Sequence, residues 1–103
     1  MYKICFYAPV THAEEVKNAM FAAGAGKIGH YACCAWQVLG EGQFMPLEGS
    51  HSFIGEQGML EKISEYKIEM VCDNAHIHAV MTALKSAHPY EEPAYQVWKL
   101  EEW

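Results

Sequence analysis

The chain is 103 residues long, 51% apolar and 13% aromatic, so a single domain with one core is expected, and neither disorder nor a second core. Seven lysines against thirteen acids, with no arginine, leave a formal charge of -6, and that charge repels a polyanion such as nucleic acid. No apolar run approaches the roughly 18 residues of a membrane span, and the stretch Met1 to Cys5 lacks the regions of a signal peptide, so no membrane partner and a cytoplasmic location are expected.

In chain order, Tyr2 to Ala8 is dense in aromatic and β-branched residues and stops at Pro9, as a first strand would. Thr11 and Glu14 have the spacing of a capping box, and Ala13, Val16, Met20 and Ala23 repeat at helical intervals until Gly24 and Gly26 end the helix. The aromatic and small residues of Tyr31 to Leu39 predict a second strand. Gly40-Glu41-Gly42 then offers a hairpin-like reversal, with Gln43 to Pro46 returning along it. Pro46 to Gly58 reads as an ordered loop, of a length that invites a functional or assembly role. From Glu61 to Cys72 the residues Tyr66, Ile68, Met70 and Cys72 alternate with Lys67 and Glu69, which predicts a strand with one covered face. Asp73 or Asn74 can cap a second helix with the stripe Ile77, Val80, Met81 and Leu84, ending near Ala87, and Tyr95 to Leu100 forms the last strand. The predicted fold is a single α+β domain over residues 1–103. It is a ferredoxin-like βαββαβ sandwich with an extra hairpin, whose antiparallel sheet is covered by two helices on one face. In the last strand Gln96, Trp98 and Leu100 oppose Tyr95 and Val97, so the second face also needs cover, and self-association supplies it.

Several residues could carry chemistry. Gly24-Ala25-Gly26-Lys27-Ile28-Gly29 follows a helix and precedes a strand, the reverse of a nucleotide loop, and reads as a helix stop. The densest polar cluster is His88-Pro89-Tyr90-Glu91-Glu92-Pro93, where two prolines stiffen an imidazole, a phenol and two carboxylates. A metal there needs further ligands from Cys33, His30 or His51; otherwise His88 only ends the helix and the carboxylates face water. The cysteines Cys5, Cys33, Cys34 and Cys72 form no CxxC pair and are expected to be reduced, with Cys33 and Cys34 on opposite faces of a strand. His76 and His78 diverge on their helix, and no catalytic triad or HExxH helix is present.

With these residues in view, Tyr2 to Leu100 resembles the domain inserted in bacterial members of the NGG-interacting factor three (YqfO) family. The likeness is carried by Gly24 to Gly29, Tyr31 through Cys33 and Cys34, Gly40-Glu41-Gly42-Gln43-Phe44 with Pro46 and Gly49, Ile54-Gly55 with Gly58 and Glu61, and above all His88 to Tyr95. It departs at Ser52, where a proline is common in the family. A similar HPYE-and-proline turn precedes the final strand of CutA-type proteins, so the resemblance implies a CutA-like or PII-like fold and a trimer in preference to a dimer. The flanking domain that holds a dinuclear metal centre in the family has no counterpart here, and no catalytic residue is carried over.

The expected role is a non-enzymatic oligomeric module, a stand-alone version of the insert, that binds or senses a metal ion or small ligand near the HPYEEP turn. Tyr90, Glu91, Glu92, Gly40 and Gly42 are the candidate ligand contacts. His88, Glu91, Cys33 and His30 are the candidate ligands of a divalent ion such as zinc or copper. The alternatives are a protein-interaction or scaffolding subunit and, third, a small metal-dependent hydrolase acting through His88 and Glu91.

Overall fold

The computed structural model describes all residues from 1 to 103. Its elements are β1 (Tyr2–Pro9), α1 (Ala13–Ala22), β2 (Trp36–Phe44), β3 (Glu61–Cys72), α2 (Ile77–Ala87) and β4 (Tyr95–Lys99). The sheet order is β2-β3-β1-β4 with every neighbouring pair antiparallel, so each helix links two strands that flank a third. This is the predicted ferredoxin-like sandwich.

Register decides which side chains meet the helices. Ile4 pairs with Met70 and Val97, and Phe6 with Ile68 and Tyr95, which sets one alternating row of all three strands under α1 and α2. Ile4, Phe6, Ile68 and Met70 pack there with Val16 and Met20 of α1 and Val80 and Leu84 of α2. Each such side chain contributes about 1.5–3 kcal/mol on leaving water. Lys3, Cys5 and Tyr7 fall in the opposite row, where Lys3 pairs with Trp98 and a Lys3–Glu69 ion pair of 3.5 Å crosses the open face.

Helix ends use different devices from those expected. After Pro9 the chain turns at once, with the His12 amide donating to the Pro9 carbonyl, so His12 takes the N-cap position and no side chain caps α1. Thr11 lies one residue too early for a capping box, and its hydroxyl pairs with His12 Nδ1 at 2.8 Å instead. At the other end Gly24, at a φ of 120°, lets its own amide donate to the Phe21 carbonyl and that of Ala25 to Met20, a Schellman closure. Ahead of α2 the Asp73 carboxylate accepts both the His76 amide, at 2.9 Å, and a 2.6 Å bond with the His76 ring. The ring bond holds the Asp73 carboxyl below its usual range. Asn74 instead accepts from the terminal ammonium, so neither predicted residue caps α2; His76 takes the N-cap position with no side-chain cap bond.

The extra hairpin at Gly40-Glu41-Gly42 is not formed. Strand β2 runs unbroken through both glycines, Gly40 opposite Glu65 and Gly42 opposite Ile63, and neither has a positive φ. The return leg is β3, reached through the loop of residues 45–60, which has no regular structure, as expected. Gly42 is needed for space: a Cβ there would collide with the Glu65 carboxylate, while one at Gly40 would meet nothing. Strand β2 also starts late, at Trp36, because residues 26–34 form a turn of their own. There Gly26 donates to the Val71 carbonyl and Cys34 to Gly26. Cys33 sits in that turn in the left-handed region at a φ of 56°, so the two adjacent cysteines do not alternate on a strand.

The β2-β3 arm extends past the helices and stretches the molecule to 46 Å along its longest axis. On it Val38 and Leu39, on opposite faces, are 44% and 60% exposed. Gly40→Ala should leave the urea midpoint within about 0.5 kcal/mol of the parent, whereas Gly42→Ala should cost about 1–3 kcal/mol by displacing Glu65. Equal and large losses at both would restore a reversal that needs positive φ.

Candidate functional site

The site begins where α2 stops. Pro89 disfavours helical backbone at the preceding residue, and His88 accordingly has φ -70° and ψ 133°. That bend turns the imidazole back toward the end of β1, where it is buried at 6% exposure. Nε2 lies 2.6 Å from the Tyr7 carbonyl oxygen, which only accepts, and the Tyr90 amide, which only donates, lies 3.1 Å from Nδ1. These partners require the neutral ring protonated at Nε2. Burial holds the His88 pKa below its ordinary value, against an upward pull from the Tyr7 bond and from Glu65.

Tyr90 is thereby aimed across the sheet. Its hydroxyl donates to Glu65 Oε2 at 2.8 Å, and burial, with the Glu65 bond and charge, raises its pKa far above the phenol range. Around it stand Phe44 at 6.1 Å, Phe53 at 6.5 Å and His88 at 4.8 Å between ring centroids, all tilted and none stacked. Phe53 also receives the edge of His12 at 5.2 Å, which ties the long loop to the start of α1.

The loop of residues 45–60 is closed at its neck by Gly58 donating to the Pro46 carbonyl at 2.7 Å. It is held to the turn by the His51 amide donating to Glu91 Oε1 at 3.0 Å. Ser52 donates its hydroxyl to the Gly55 carbonyl across the bend of this loop. Between loop and turn opens a cavity of about 580 Å³ bordered by Phe44, Phe53, Glu65, Tyr90, Glu91 and Glu92. Ser50 also lines it, with a buried hydroxyl that has no partner.

Three of the five candidate ligand contacts, Tyr90, Glu91 and Glu92, therefore share one cavity. Gly40 and Gly42 do not border it; Gly42 acts indirectly by leaving room for Glu65. The four candidate metal ligands are not gathered. Both His88 ring nitrogens are engaged, and Glu91 holds the His51 amide. His30 and Cys33 lie exposed in the turn of residues 26–34, at the opposite end of the sheet, where Ile28 and Cys34 flank Lys3. Four residue steps along β1 carry the chain from Lys3 to Tyr7, a rise of about 13 Å. Within one subunit no three side chains of His, Cys, Asp or Glu come close enough to hold an ion, so these four candidates do not meet at one point. Glu65 and Phe53 have no signal in the sequence, since nothing local marks a carboxylate 25 residues before the phenol it receives, and Phe44 stands out there only as part of the glycine motif.

No family model matches the chain. A curated relative from Halalkalibacterium halodurans, named GTP cyclohydrolase 1 type 2 homolog, is 43% identical over 100 residues, 97% of this chain and 27% of the relative. The solved structure of a Bacillus cereus protein related to NIF3 superposes with a TM-score of 0.82 at 42% identity, over 98% of this chain and 26% of that one. The periplasmic divalent cation tolerance protein CutA of Archaeoglobus fulgidus gives 0.67 at 17% identity, covering 99% and 86%, and shows the fold alone. The chain thus spans about a quarter of the length of the curated relatives it matches. Along nearly its whole length it is similar to one segment of the NGG-interacting factor three (YqfO) family and has a CutA-like fold.

Two outcomes test the geometry. Tyr90→Phe strands the Glu65 carboxylate and should cost about 1.5–3 kcal/mol by urea denaturation. Because the folded pKa of His88 is depressed, its contribution is fully present above about pH 6.5, the unfolded value, and is lost as pH falls toward the folded one. The urea midpoint should therefore drop below neutrality, and His88→Gln should flatten that part of the profile; an unchanged profile would refute the neutral, buried ring.

Proposed function

We propose that this chain is a self-associating, non-catalytic module that takes up a small ligand in the cavity between the loop of residues 45–60 and the turn of residues 88–94. The observation that carries the proposal is the half-open cavity itself. Tyr90, Glu91 and Glu92 converge on a space of about 580 Å³, the lower part of the usual range for small-molecule sites. The walls come from two segments tied by the His51–Glu91 bond, so filling the cavity would change how loop and turn sit together.

Self-association is supported by the sheet face away from the helices. Trp36 at 57% and Trp98 at 48% exposure lie in the row of Lys3 and Glu69, and Val38 extends it along the arm. Apolar surface of this kind is covered in oligomers more often than it is left in water. The trimer implied by the resemblance would bury three such faces together. A reading as a scaffold for a different protein rests on the same surface, and subunit count separates the two. The hydrolase reading is weaker, because His88 has no free nitrogen with which to act as a base.

Native mass spectrometry of untagged protein should show an assembly that the double variant Trp36→Lys, Trp98→Lys reduces to monomer. A monomeric parent would remove self-association. A fragment screen read by amide chemical shifts should give saturable hits clustered on residues 45–54 and 90–94; hits confined to other regions would remove the cavity from the proposal.

A further inference from the structure

The cavity has a chemical bias that its place in the fold does not require. Glu48, Glu65, Glu91 and Glu92 border it, and no lysine does. None of these four takes part in the ion pairs of the molecule, which are Lys3–Glu69, Lys17–Glu14 and His76–Asp73. Four carboxylates around one partly enclosed space repel one another and any anion, so a phosphate or carboxylate ligand is disfavoured on this subunit's own charges.

The remaining wall is aromatic. Phe44 and Phe53 both stand tilted to Tyr90, at 52° and 45° between ring planes, and neither is stacked on it. Phe53 is about half exposed, and the Tyr90 hydroxyl is already engaged with Glu65, which leaves its ring as the part free to contact a ligand. Ring faces attract a cation at up to about 6 Å from the centroid, and more strongly when water is excluded. The unpartnered Ser50 hydroxyl adds one buried polar atom beside this wall.

Resting on the cavity reading above, we infer that the ligand is an organic ammonium cation, whose methyl or methylene groups lie against Phe44, Phe53 and Tyr90 while Glu48 and Glu92 supply the counter-charge. Glu65 and Glu91 hold the walls in place through Tyr90 and His51 and add to the negative field. A compact inorganic cation is a poorer match. The carboxylates are dispersed around the cavity and no three gather on one point, whereas a bulky cation is satisfied by diffuse charge and ring faces.

The test uses three probes at matched ionic strength: choline, its neutral tert-butyl analogue of the same shape, and pyrophosphate. Binding is followed by amide chemical shifts of residues 45–54 and 90–94. Choline should titrate these resonances to saturation, the neutral analogue should bind about tenfold more weakly, and pyrophosphate should not bind. Glu48→Gln with Glu92→Gln, both exposed positions, should weaken choline about fivefold while leaving the fold intact by the rest of the spectrum. Equal or tighter binding of the neutral analogue or of pyrophosphate at the same resonances would overturn the cationic class and leave the cavity standing. Choline binding that ignores both substitutions would overturn the assigned counter-charge, and silence from all three probes would overturn cavity and class together.

Discussion

The imidazole of His88 is the joint on which the site depends. It receives the Tyr90 amide on one side and gives its proton to the Tyr7 carbonyl on the other, so a turn late in the chain is fastened to the first strand, 81 residues away. The bond to Tyr7 satisfies the ring inside the fold, and the bond from Tyr90 fixes the next side chain. From there the phenol reaches Glu65, and Glu65 has room only because position 42 carries no side chain. Two prolines hold the turn stiff around this chain of contacts, which is why a motif that looks like metal chemistry serves first as a structural clamp.

The two ends of the sheet carry different segments. At the Lys3 end the glycine-rich turn of residues 26–34 packs close through backbone bonds to Val71 and within itself, and presents His30 and Cys33 to solvent. At the Tyr7 end the long loop and the HPYEEP turn enclose the cavity, and the aromatic side chains of both segments gather on Tyr90. Histidines, cysteines and carboxylates that look like one ligand set in the sequence are thus divided by the length of the strands. The cavity that remains is defined by carboxylates and rings, a chemistry suited to a large soft cation better than to a small hard one.

The arm formed by β2 and β3 outruns the helix layer, and its apolar residues are uncovered on both sides. A folded monomer gains little by keeping Val38, Leu39 and Trp36 in water, and the row of Trp98 on the open face continues the same surface. The cavity runs along this arm, from Glu65, opposite the end of β1, to Phe44, the last residue of β2. Anything that packs on the arm therefore lies next to the elements that form the cavity wall.

The order of elements, the helix-facing row of β3 and the apolar stripe of α2 were determined by local sequence, because burial on one face imposes a period that a single strand or helix displays without its neighbours. The turn motif was equally legible as a place where polar groups concentrate. Its chemistry was not, since a histidine's role depends on which atoms face its two nitrogens, and those belong to residues 2 and 81 positions distant. The glycines of β2 misled for a related reason: glycine serves both positive φ and close approach, and only the position of Glu65 on the neighbouring strand separates the two. Periodicity is a property of one segment and can be read there; a cavity, a clamp and a missing Cβ are relations between segments, and exist only once the chain has brought them together.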